Sequence, residues 1–408
     1  MTIHAILGEH EAHTLKQLED IATRAEHVAL MADGHLGYIA PIGSVAAYRN
    51  KASVVGVGFD IACGNAAIRT DLMASSFDHS RLQELATEIQ HAISFGIGRT
   101  NAADDAPLDD PLFSDDAWQA IPAAKGDRVS LHAKARNQLG TAGSGNHYVD
   151  VFADEQGRIW IGVHFGSRGF GHTIASGFLA LGTGHEWGDR VKEQEVLLDL
   201  DSPLGDAYWS LMNLAGRYAY AGREWVARKV MRIMGGTEQE LVHNHHNFAW
   251  KETHFNEEFV VVRKGATPAT PGQKGFVGGS MGDQSVILEG TRGKFRDPAQ
   301  VATLYSTVHG AGRVMGRQDA FKGKATRDET GKVVSRDTST IVTRDMQRAW
   351  LDERGVILRG GGVDESPHVY RRLPDVLAAQ GDTVTVLHTL DPLIVVMAGT
   401  DVRDPYKD

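Results

Sequence analysis

Short apolar runs interrupted by glycine are the feature that most limits how this chain can fold. From 43 to 70, small and β-branched residues alternate with Gly, which is typical of strands joined by tight turns. A different pattern covers 206–235, where Ala, Leu, Met, Arg and Trp follow one another without proline. That stretch predicts a long helix or a helix pair. Because one chain carries both patterns, neither an all-helical nor an all-strand fold is expected.

The other periodic segments extend this mixture along the chain. Further helices are expected on the apolar face Leu15, Leu18, Ile21 and Ala22, and around 80–97, 128–139, 300–315 and 343–353. Further strands are expected in the run HVALM ending at Asp33, and at 146–152, 158–164, 258–263, 284–288, 382–390 and 393–397. We find no repeat and no linker longer than a loop. The sequence therefore predicts a single α+β domain over 1–408, in which Gly-rich turns bring distant segments to one site.

Composition excludes several classes of protein. No apolar run in the 408 residues approaches the roughly 18–20 needed to cross a bilayer, so no membrane partner is expected. The opening MTIHAILGEHEAH carries acids and histidines where a secretory signal has basic and then apolar residues, so we expect a cytoplasmic protein. The one cysteine, Cys63, excludes an internal disulfide.

Charge is unevenly distributed. A net charge of −10 weighs against a protein that coats nucleic acid, because such binding depends on Lys and Arg neutralising phosphates. From 289 to 327, however, eight basic residues stand against three acids, a local balance of +5. This distribution favours an enzyme that holds one RNA end.

Five segments combine glycine with possible metal ligands: GFDIACG (58–64), GSGNHYVD (143–150), GVHFGSRGFG (162–171), HNHHNF (243–248) and TVHGAGR (307–313). Each alone is weak. Glycine lets backbone approach a ligand closely, while His, Cys and Asp supply the donors that borderline divalent metals accept.

Asp60 and Cys63 lie three residues apart in a Gly-flanked turn, so a carboxylate and a thiolate could bind one ion, and a thiolate can bridge two. The alternative is a loop Asp beside a packed Cys. His147, His164 and His246 would complete the site, although a lone His beside a strand is usually structural. The presence of all five residues in one chain favours a metal site.

His309 stands on a glycine-rich turn, with Arg313 and Arg317 placed near one face of an expected helix. A neutral imidazole can attack an α-phosphorus if a neighbour orients its other nitrogen and cations stabilise the leaving phosphates. The alternative is a helix-capping His with solvated arginines.

Nine segments, in order along nearly the whole chain, resemble the motifs of the RNA-splicing ligase RtcB family. They are ADGHLG…PIGS (32–44), VGFDIACG (57–64), GSGNH (143–147), HFGSRGFG (164–171), HHN (245–247), RKGATPA (263–269), GSMG (279–282), HGAGR (309–313) and DESPHVY (364–370). The resemblance implies an α+β fold of mixed β-sheets flanked by helices, with a central dinuclear metal cleft. It also implies a monomer.

The family joins an RNA 3′-phosphate or 2′,3′-cyclic phosphate to a 5′-hydroxyl with GTP and two manganese ions, after water has opened the cyclic end. The resemblance implies that Asp60, Cys63 and His147 hold one ion and that Cys63, His164 and His246 hold the other. It implies that His309 carries GMP and that Asp33 orients it. Nucleotide contacts would come from Asn146, Asp150, Ser280, Ser285, Gly310, Ala311, Gly312 and Arg313, and contacts to RNA or triphosphate oxygens from Arg168, Arg313 and Arg317. Manganese rather than zinc also rests on the resemblance, since Cys, His and Asp suit either ion.

The sequence departs from the family pattern in four places. Ala398 replaces a lysine that contacts guanine, Asp150 replaces a glutamate, Gly316 replaces a serine, and Ala32 opens ADGH where PDVH is usual. Three of these changes concern nucleotide recognition rather than the metals. The tail 400–408 contains Lys407, and we hypothesise that it folds back to place an ammonium in the nucleotide pocket; unchanged nucleotide affinity in Lys407→Ala would contradict this.

Three functions follow from these features. The first is a GTP- and manganese-dependent RNA ligase of RNA repair or tRNA splicing. The second is a divergent nucleotidyltransferase that modifies RNA 3′ ends without sealing them. The third is a non-catalytic, metal-bearing RNA-binding or regulatory protein. A complete set of metal ligands and His309 favour the first two.

Overall fold

Strands and helices alternate through residues 2–293, 296–328 and 332–399, which are the residues that the computed structural model describes. The strands are β1 (Thr2–Ile6), β2 (His27–His35), β3 (Ile42–Tyr48), β4 (Lys51–Ser53), β5 (Gly64–Met73), β6 (Tyr148–Asp154), β7 (Arg158–Phe165), β8 (Leu197–Asp199), β9 (Glu238–His245), β10 (Asn247–His254), β11 (Glu257–Lys264), β12 (Ala266–Pro268), β13 (Lys274–Val277), β14 (Ser285–Gly290), β15 (Ser306–Val308), β16 (Lys324–Arg327), β17 (Val333–Asp337), β18 (Ile357–Arg359) and β19 (Val384–Met397). The helices are α1 (Ala12–Ala22), α2 (Val54–Val57), α3 (His79–Ala92), α4 (Lys125–Gln138), α5 (Arg168–Gly182), α6 (Pro203–Met234), α7 (Pro298–Ala302), α8 (Arg317–Lys322), α9 (Arg344–Glu353) and α10 (Leu373–Gln380).

Two mixed sheets carry the site. The larger has the strand order β13-β14-β19-β6-β7-β5-β9, with β18 added parallel to β19. The smaller has the order β1-β2-β3-β11-β10, in which only the β1–β2 pair is parallel among the described strands. Three two-stranded ribbons, β4–β8, β12–β15 and β16–β17, complete the pairing of the described strands.

Alternation along β7 decides which side chains face the helices. Ile159, Ile161 and Val163 join the apolar cluster that also contains residues of α3 and α6. Because side chains alternate across a strand, Trp160 and His164 point to the other face. There Trp160 packs in a second cluster, while His164 lies nearer the open end of the strand. The sequence RIWIGVHF thus buries one face in the core and presents the other to the site.

Helix α6 spans 32 residues, about 48 Å at 1.5 Å per residue. Its start is fixed by the side chain of Ser202, which accepts a hydrogen bond from Gly205 N, and by Pro203 in the first turn. It ends at Gly235, whose φ of 82° is left-handed. The predicted long helix at 206–235 is confirmed as one helix.

The α+β fold class is confirmed, and two local predictions are wrong. The expected helix at 300–315 is replaced by α7, the short strand β15 and a glycine-rich turn. The two expected strands at 382–390 and 393–397 are one strand, β19, with an irregularity between Pro392 and Ile394. Proline has no N–H for the ladder, which explains why the pairing breaks there.

Two further predictions concern the number of domains and the C-terminal tail. The single-domain organisation stays a prediction, and the tail 400–408 with Lys407 lies outside the described residues. Within the described ranges, no helix is both long enough and apolar enough to cross a membrane.

Candidate active site

A cleft of about 2040 Å³ opens where the two sheets meet, and all five glycine-containing segments contribute to its lining. They bring Cys63, His147, His164, His246 and His309 to one cavity from distant parts of the sequence.

Cys63 lies at the centre of a buried cluster of metal-ligand side chains. Its Sγ is 3.6 Å from His164 Nε2 and 3.8 Å from His147 Nε2. Asp60 Oδ2 is 3.1 Å from the same His147 nitrogen, and Cys63 N donates to Asp60 O in the predicted turn. His246 stacks on His164, with 5.2 Å between ring centroids. The structure therefore brings the donor atoms of Cys63, His147 and His164 within 4.8 Å of one another, with Asp60 beside His147 and His246 against His164.

Cross-strand pairing orients His164. Asn65 of β5 and Tyr148 of β6 are its direct partners across β7, so the three side chains share one face. His164 Nδ1 lies 2.6 Å from Asn65 Oδ1, which can only accept, so this nitrogen carries the proton. Nε2 is then left with its lone pair toward Cys63, the arrangement a metal ligand requires.

The donor set suits a divalent cation. Burial lowers the pKa of His164 and His246 well below the ordinary value, so both imidazoles are neutral at pH 7, the form that can bind a metal ion. Burial and the Asp60 carboxylate raise the pKa of the Cys63 thiol well above its ordinary range, and a bound cation would reverse this. His246 Nδ1 is buried and has no hydrogen-bond partner among the described residues. A buried neutral nitrogen without a partner, on a ring that stacks against His164, fits a metal site.

Close backbone approach explains two of the glycines. A Cβ on Gly166 would lie 2.2 Å from Asp60 Oδ1, and a Cβ on Gly143 would lie 2.0 Å from His147 Nδ1. These contacts are far inside van der Waals distance. The motif glycines at these positions therefore make room for the ligand side chains.

His309 faces the metal-ligand cluster from the opposite wall. Its ring centroid is 4.9 Å from that of His246, and its Nδ1 is 2.6 Å from Asp33 Oδ2. The same Asp33 oxygen accepts from the backbone N–H of His309 (3.0 Å) and of Gly310 (3.3 Å). Burial opposes ionisation of Asp33, but the charge and hydrogen bonds of His309 outweigh it and lower the pKa of the carboxyl. A buried carboxylate thus holds Nδ1, and Nε2 is the nitrogen left to react.

Arg371 supports this pair, and no sequence pattern indicates this role apart from its position after DESPHVY. Its guanidinium donates to Ala32 O (2.7 Å) and Gly34 O (3.1 Å), the carbonyls on either side of Asp33. Its backbone N–H donates to Gly312 O at 2.9 Å. One residue therefore joins the Asp33 strand to the His309 turn.

Arg313 and Arg317 do not share a helix face with His309, so that prediction is wrong. His309 follows β15, Arg313 lies in the turn, and Arg317 begins α8. Arg313 donates to Tyr370 Oη (2.9 Å) and Asp364 O (2.7 Å), while Arg317 pairs with Asp364 (3.1 Å) and with Glu365. The acids of DESPHVY, for which the sequence indicates no role, hold both arginines at the cleft.

Arg317 and Arg168 both reach the GSGNH loop. A Cβ on Gly145 would lie 2.9 Å from Arg317 Nη2, and Arg168 Nη1 is 3.5 Å from His147 Nδ1. Asn146 in the same loop is exposed and lines the cleft.

Of the other predicted nucleotide contacts, Asp150 and Ser280 line the cleft, whereas Ser285 is buried and is not among the lining residues. Ser280 donates to Asp283 at 2.5 Å, and Ser285 Oγ accepts from Gly279 N at 3.0 Å. Asp150 and Tyr148 lie on one face of β6, and both Asp150 Oδ1 and Tyr148 Oη are buried without a partner in the described part of the chain. Burial raises the pKa of Asp150 well above its ordinary value. Gly310, Ala311 and Gly312, which follow His309 in the chain, also line the cleft.

Sequence comparisons identify the proteins to which this chain is similar. The family model described as tRNA-splicing ligase RtcB matches residues 14–398. The RNA-splicing ligase RtcB of Escherichia coli K12 is 31% identical, over 91% of this chain and 90% of its own length. The tRNA-splicing ligase RtcB of Thermococcus kodakarensis is 30% identical over 89% and 86% of the two chains. The RNA-splicing ligase RtcB homolog 1 of Entamoeba dispar is 29% identical over 94% and 81%.

Proposed function

This chain belongs to the tRNA-splicing ligase RtcB family, and from that premise we propose that it is an RNA ligase acting on 3′-phosphate or 2′,3′-cyclic phosphate and 5′-hydroxyl ends. One observation carries the chemistry. A histidine held by a buried carboxylate, His309 with Asp33, stands beside a Cys/His cluster that fits metal ions.

His309 is the nucleophile in this proposal. Its Nε2 attacks the α-phosphorus of GTP, a P–N bond forms, and pyrophosphate leaves. Asp33 keeps the proton on Nδ1 and stabilises the positive charge that develops on the ring. The imidazole nitrogen can itself leave from the phosphorus, so the GMP bound to His309 can be transferred to the RNA end.

The RNA end is then activated and sealed. Any cyclic phosphate is first hydrolysed to a 3′-phosphate. An oxygen of that phosphate attacks the phosphorus of the histidine-bound GMP, the P–N bond breaks, and His309 is restored. The 5′-hydroxyl oxygen finally attacks the RNA phosphorus, GMP leaves, and the hydroxyl proton is released.

Asp60, Cys63 and His147 would hold one manganese ion, and Cys63, His164 and His246 the second. When bound, such ions neutralise charge on attacking and leaving oxygens. Burial of Cys63, His147, His164 and His246 supports this assignment, because electrostatic effects are stronger where water is excluded.

The remaining assigned residues bind the substrates. Arg168, Arg317 and Asn146 lie together at the GSGNH loop and would contact phosphates. Arg313 would act at the same wall, held by the acids of DESPHVY. Asp150 and Ser280 would contact the base, and Ser285 would act from behind the cleft by holding the backbone of Gly279. RNA is the partner, and we expect a monomer acting in the cytoplasm.

The test is covalent labelling. The purified protein is incubated with Mn²⁺ and with GTP or ATP labelled at the α-phosphate, then denatured. We expect label from GTP in the wild type and none in His309→Ala. Asp33→Asn should label roughly 10²–10⁴-fold more slowly, because an amide no longer stabilises the charged ring.

The other outcomes are informative. Label from ATP alone would mean that the cleft accepts adenine rather than guanine. Label without joining of RNA ends would indicate a nucleotidyltransferase that does not seal. Absence of label from either nucleotide would contradict the proposal and favour a binding or regulatory protein.

A further inference from the structure

The long helix α6 places an arginine directly behind the metal-ligand cluster. Arg223 is fully buried, at 0% exposure, and no carboxylate forms an ion pair with it among the described residues. Burying a cation without an ion-pair partner costs free energy, so the hydrogen bonds of the guanidinium must offset that cost. It faces the backbone behind the cleft.

The guanidinium of Arg223 has three acceptors. Nη1 donates to Ala62 O at 2.9 Å and to Phe165 O at 2.7 Å. Nη2 donates to His245 Nδ1 at 2.9 Å. These acceptors come from the segment before β5 and from the ends of β7 and β9. One side chain thus ties together three neighbouring strand ends.

Each acceptor is the chain neighbour of a proposed ligand. Ala62 precedes Cys63, Phe165 follows His164, and His245 precedes His246. Cys63, His164 and His246 are the three side chains assigned to the second ion. Asp60 and His147, assigned to the first ion, have no such contact with Arg223 among the described residues.

Arginine suits this position for a geometric reason. Its planar fork directs two nitrogens at fixed angles, which a lysine ammonium cannot reproduce. The fork is itself fixed, because it lies 5.2 Å from the ring centroid of Tyr220, on which His245 stacks at 3.8 Å.

We propose that Arg223 is a positioning residue that sets the spacing of Cys63, His164 and His246, and thereby the affinity of the second metal ion. The proposal rests on the two-ion site described above. It assigns to the middle of α6 a function that no local sequence pattern indicates.

The experiment is a titration of the metal-free protein with Mn²⁺ alone, following free Mn²⁺ by electron paramagnetic resonance. Wild type, Arg223→Lys and Arg223→Gln are compared with Arg228→Gln, a control on the same helix whose partners are Glu224 and Glu238. We expect two ions in the wild type and the control. In both Arg223 variants we expect one ion to weaken roughly 10- to 100-fold, the usual effect of losing a group that orients ligands.

A spectroscopic measurement separates positioning from folding. With Co²⁺ in place of Mn²⁺, the thiolate-to-cobalt absorption of Cys63 should change in the Arg223 variants and not in Arg228→Gln. Melting of the metal-free proteins is recorded in parallel. Should both Arg223 variants fail to fold, His245→Phe replaces them, because it removes one acceptor and keeps an aromatic ring against Tyr220.

The results divide clearly. Weaker binding of one ion in folded Arg223 variants, or in His245→Phe, supports the inference. Two ions at wild-type affinity in those variants would overturn it while leaving the two-ion site intact. A wild type that binds no Mn²⁺ would overturn the two-ion site and this inference together.

Discussion

At the scale of single residues, the site uses backbone conformation and close contact in different places. Ala62 (φ 60°) and Arg168 (φ 56°) adopt left-handed backbone although neither is glycine; Ala62 directly precedes Cys63, and Arg168 follows His164 by four residues. Such conformations cost of order 1–3 kcal/mol and cluster at functional sites. Gly166 and Gly143 instead leave space for Asp60 and His147.

Gly166→Ala should weaken metal binding although the substitution replaces none of the proposed ligands. The added Cβ would stand 2.2 Å from Asp60 Oδ1, so the carboxylate must move. We expect roughly 10- to 100-fold weaker binding of the first Mn²⁺ ion, measured by titration of the metal-free protein. Gly126→Ala is the control, since its Cβ would meet nothing within 4 Å. Wild-type affinity in Gly166→Ala would show that Asp60 is not a ligand.

At the scale of elements, the nucleophile depends on contacts between segments far apart in sequence. Asp33 belongs to β2, His309 follows β15, and Arg371 lies just before α10. Only the packing of these three elements aligns the imidazole.

Arg371→Gln tests that alignment. Without the guanidinium, the carbonyls beside Asp33 lose their donor, and the carboxylate should shift relative to His309. We expect covalent labelling from GTP to slow roughly 10- to 100-fold, because small misplacements of reacting groups cost that much. Mn²⁺ affinity should not change. The exposed Arg344→Gln serves as control, and equal labelling rates in the two variants would contradict the proposed support.

At the scale of the whole molecule, the smaller sheet is tied to the segment that carries His309. Arg263 of β11 is fully buried, pairs with Glu252 of β10 at 2.6 Å, and donates to Leu304 O at 3.0 Å and Ser306 Oγ at 2.8 Å. Ser306 begins β15, which leads directly to His309. Breaking this pair should therefore loosen the wall that carries the nucleophile.

The stability from this pair should depend on pH. Burial opposes ionisation of Glu252, but Arg263 and His254 outweigh it and lower its pKa from 4.5 to about 2. A depressed carboxyl pKa stabilises the fold above pH 4.5, and this is lost as pH falls toward 2. Chemical unfolding of Glu252→Gln should show a loss on the order of 3 kcal/mol at pH 7 that shrinks through this range. The exposed Glu257→Gln should show little loss, and a loss in Glu252→Gln that does not vary with pH would contradict the assignment.

Local sequence predicted some parts of this molecule well. The strand expected at 158–164 is β7, and the long stretch without proline is α6. The helix expected at 300–315 failed because apolar periodicity there reflects burial of a strand and a turn between two sheets. Periodicity over a short segment cannot distinguish these cases.

By itself, the sequence determined the fold class, the strands that present the site, and the chemical identity of the Cys, His and Asp donors, because these depend on residue type and local spacing. The tertiary structure alone decided which donors meet: His147 and His164 lie 84 and 101 positions from Cys63, and Asp33 lies 276 from His309. It also decided the supports, Arg223, Arg371 and the acids of DESPHVY. Hydrogen bonds and packing across elements fix such distances, and no local pattern in a sequence encodes them.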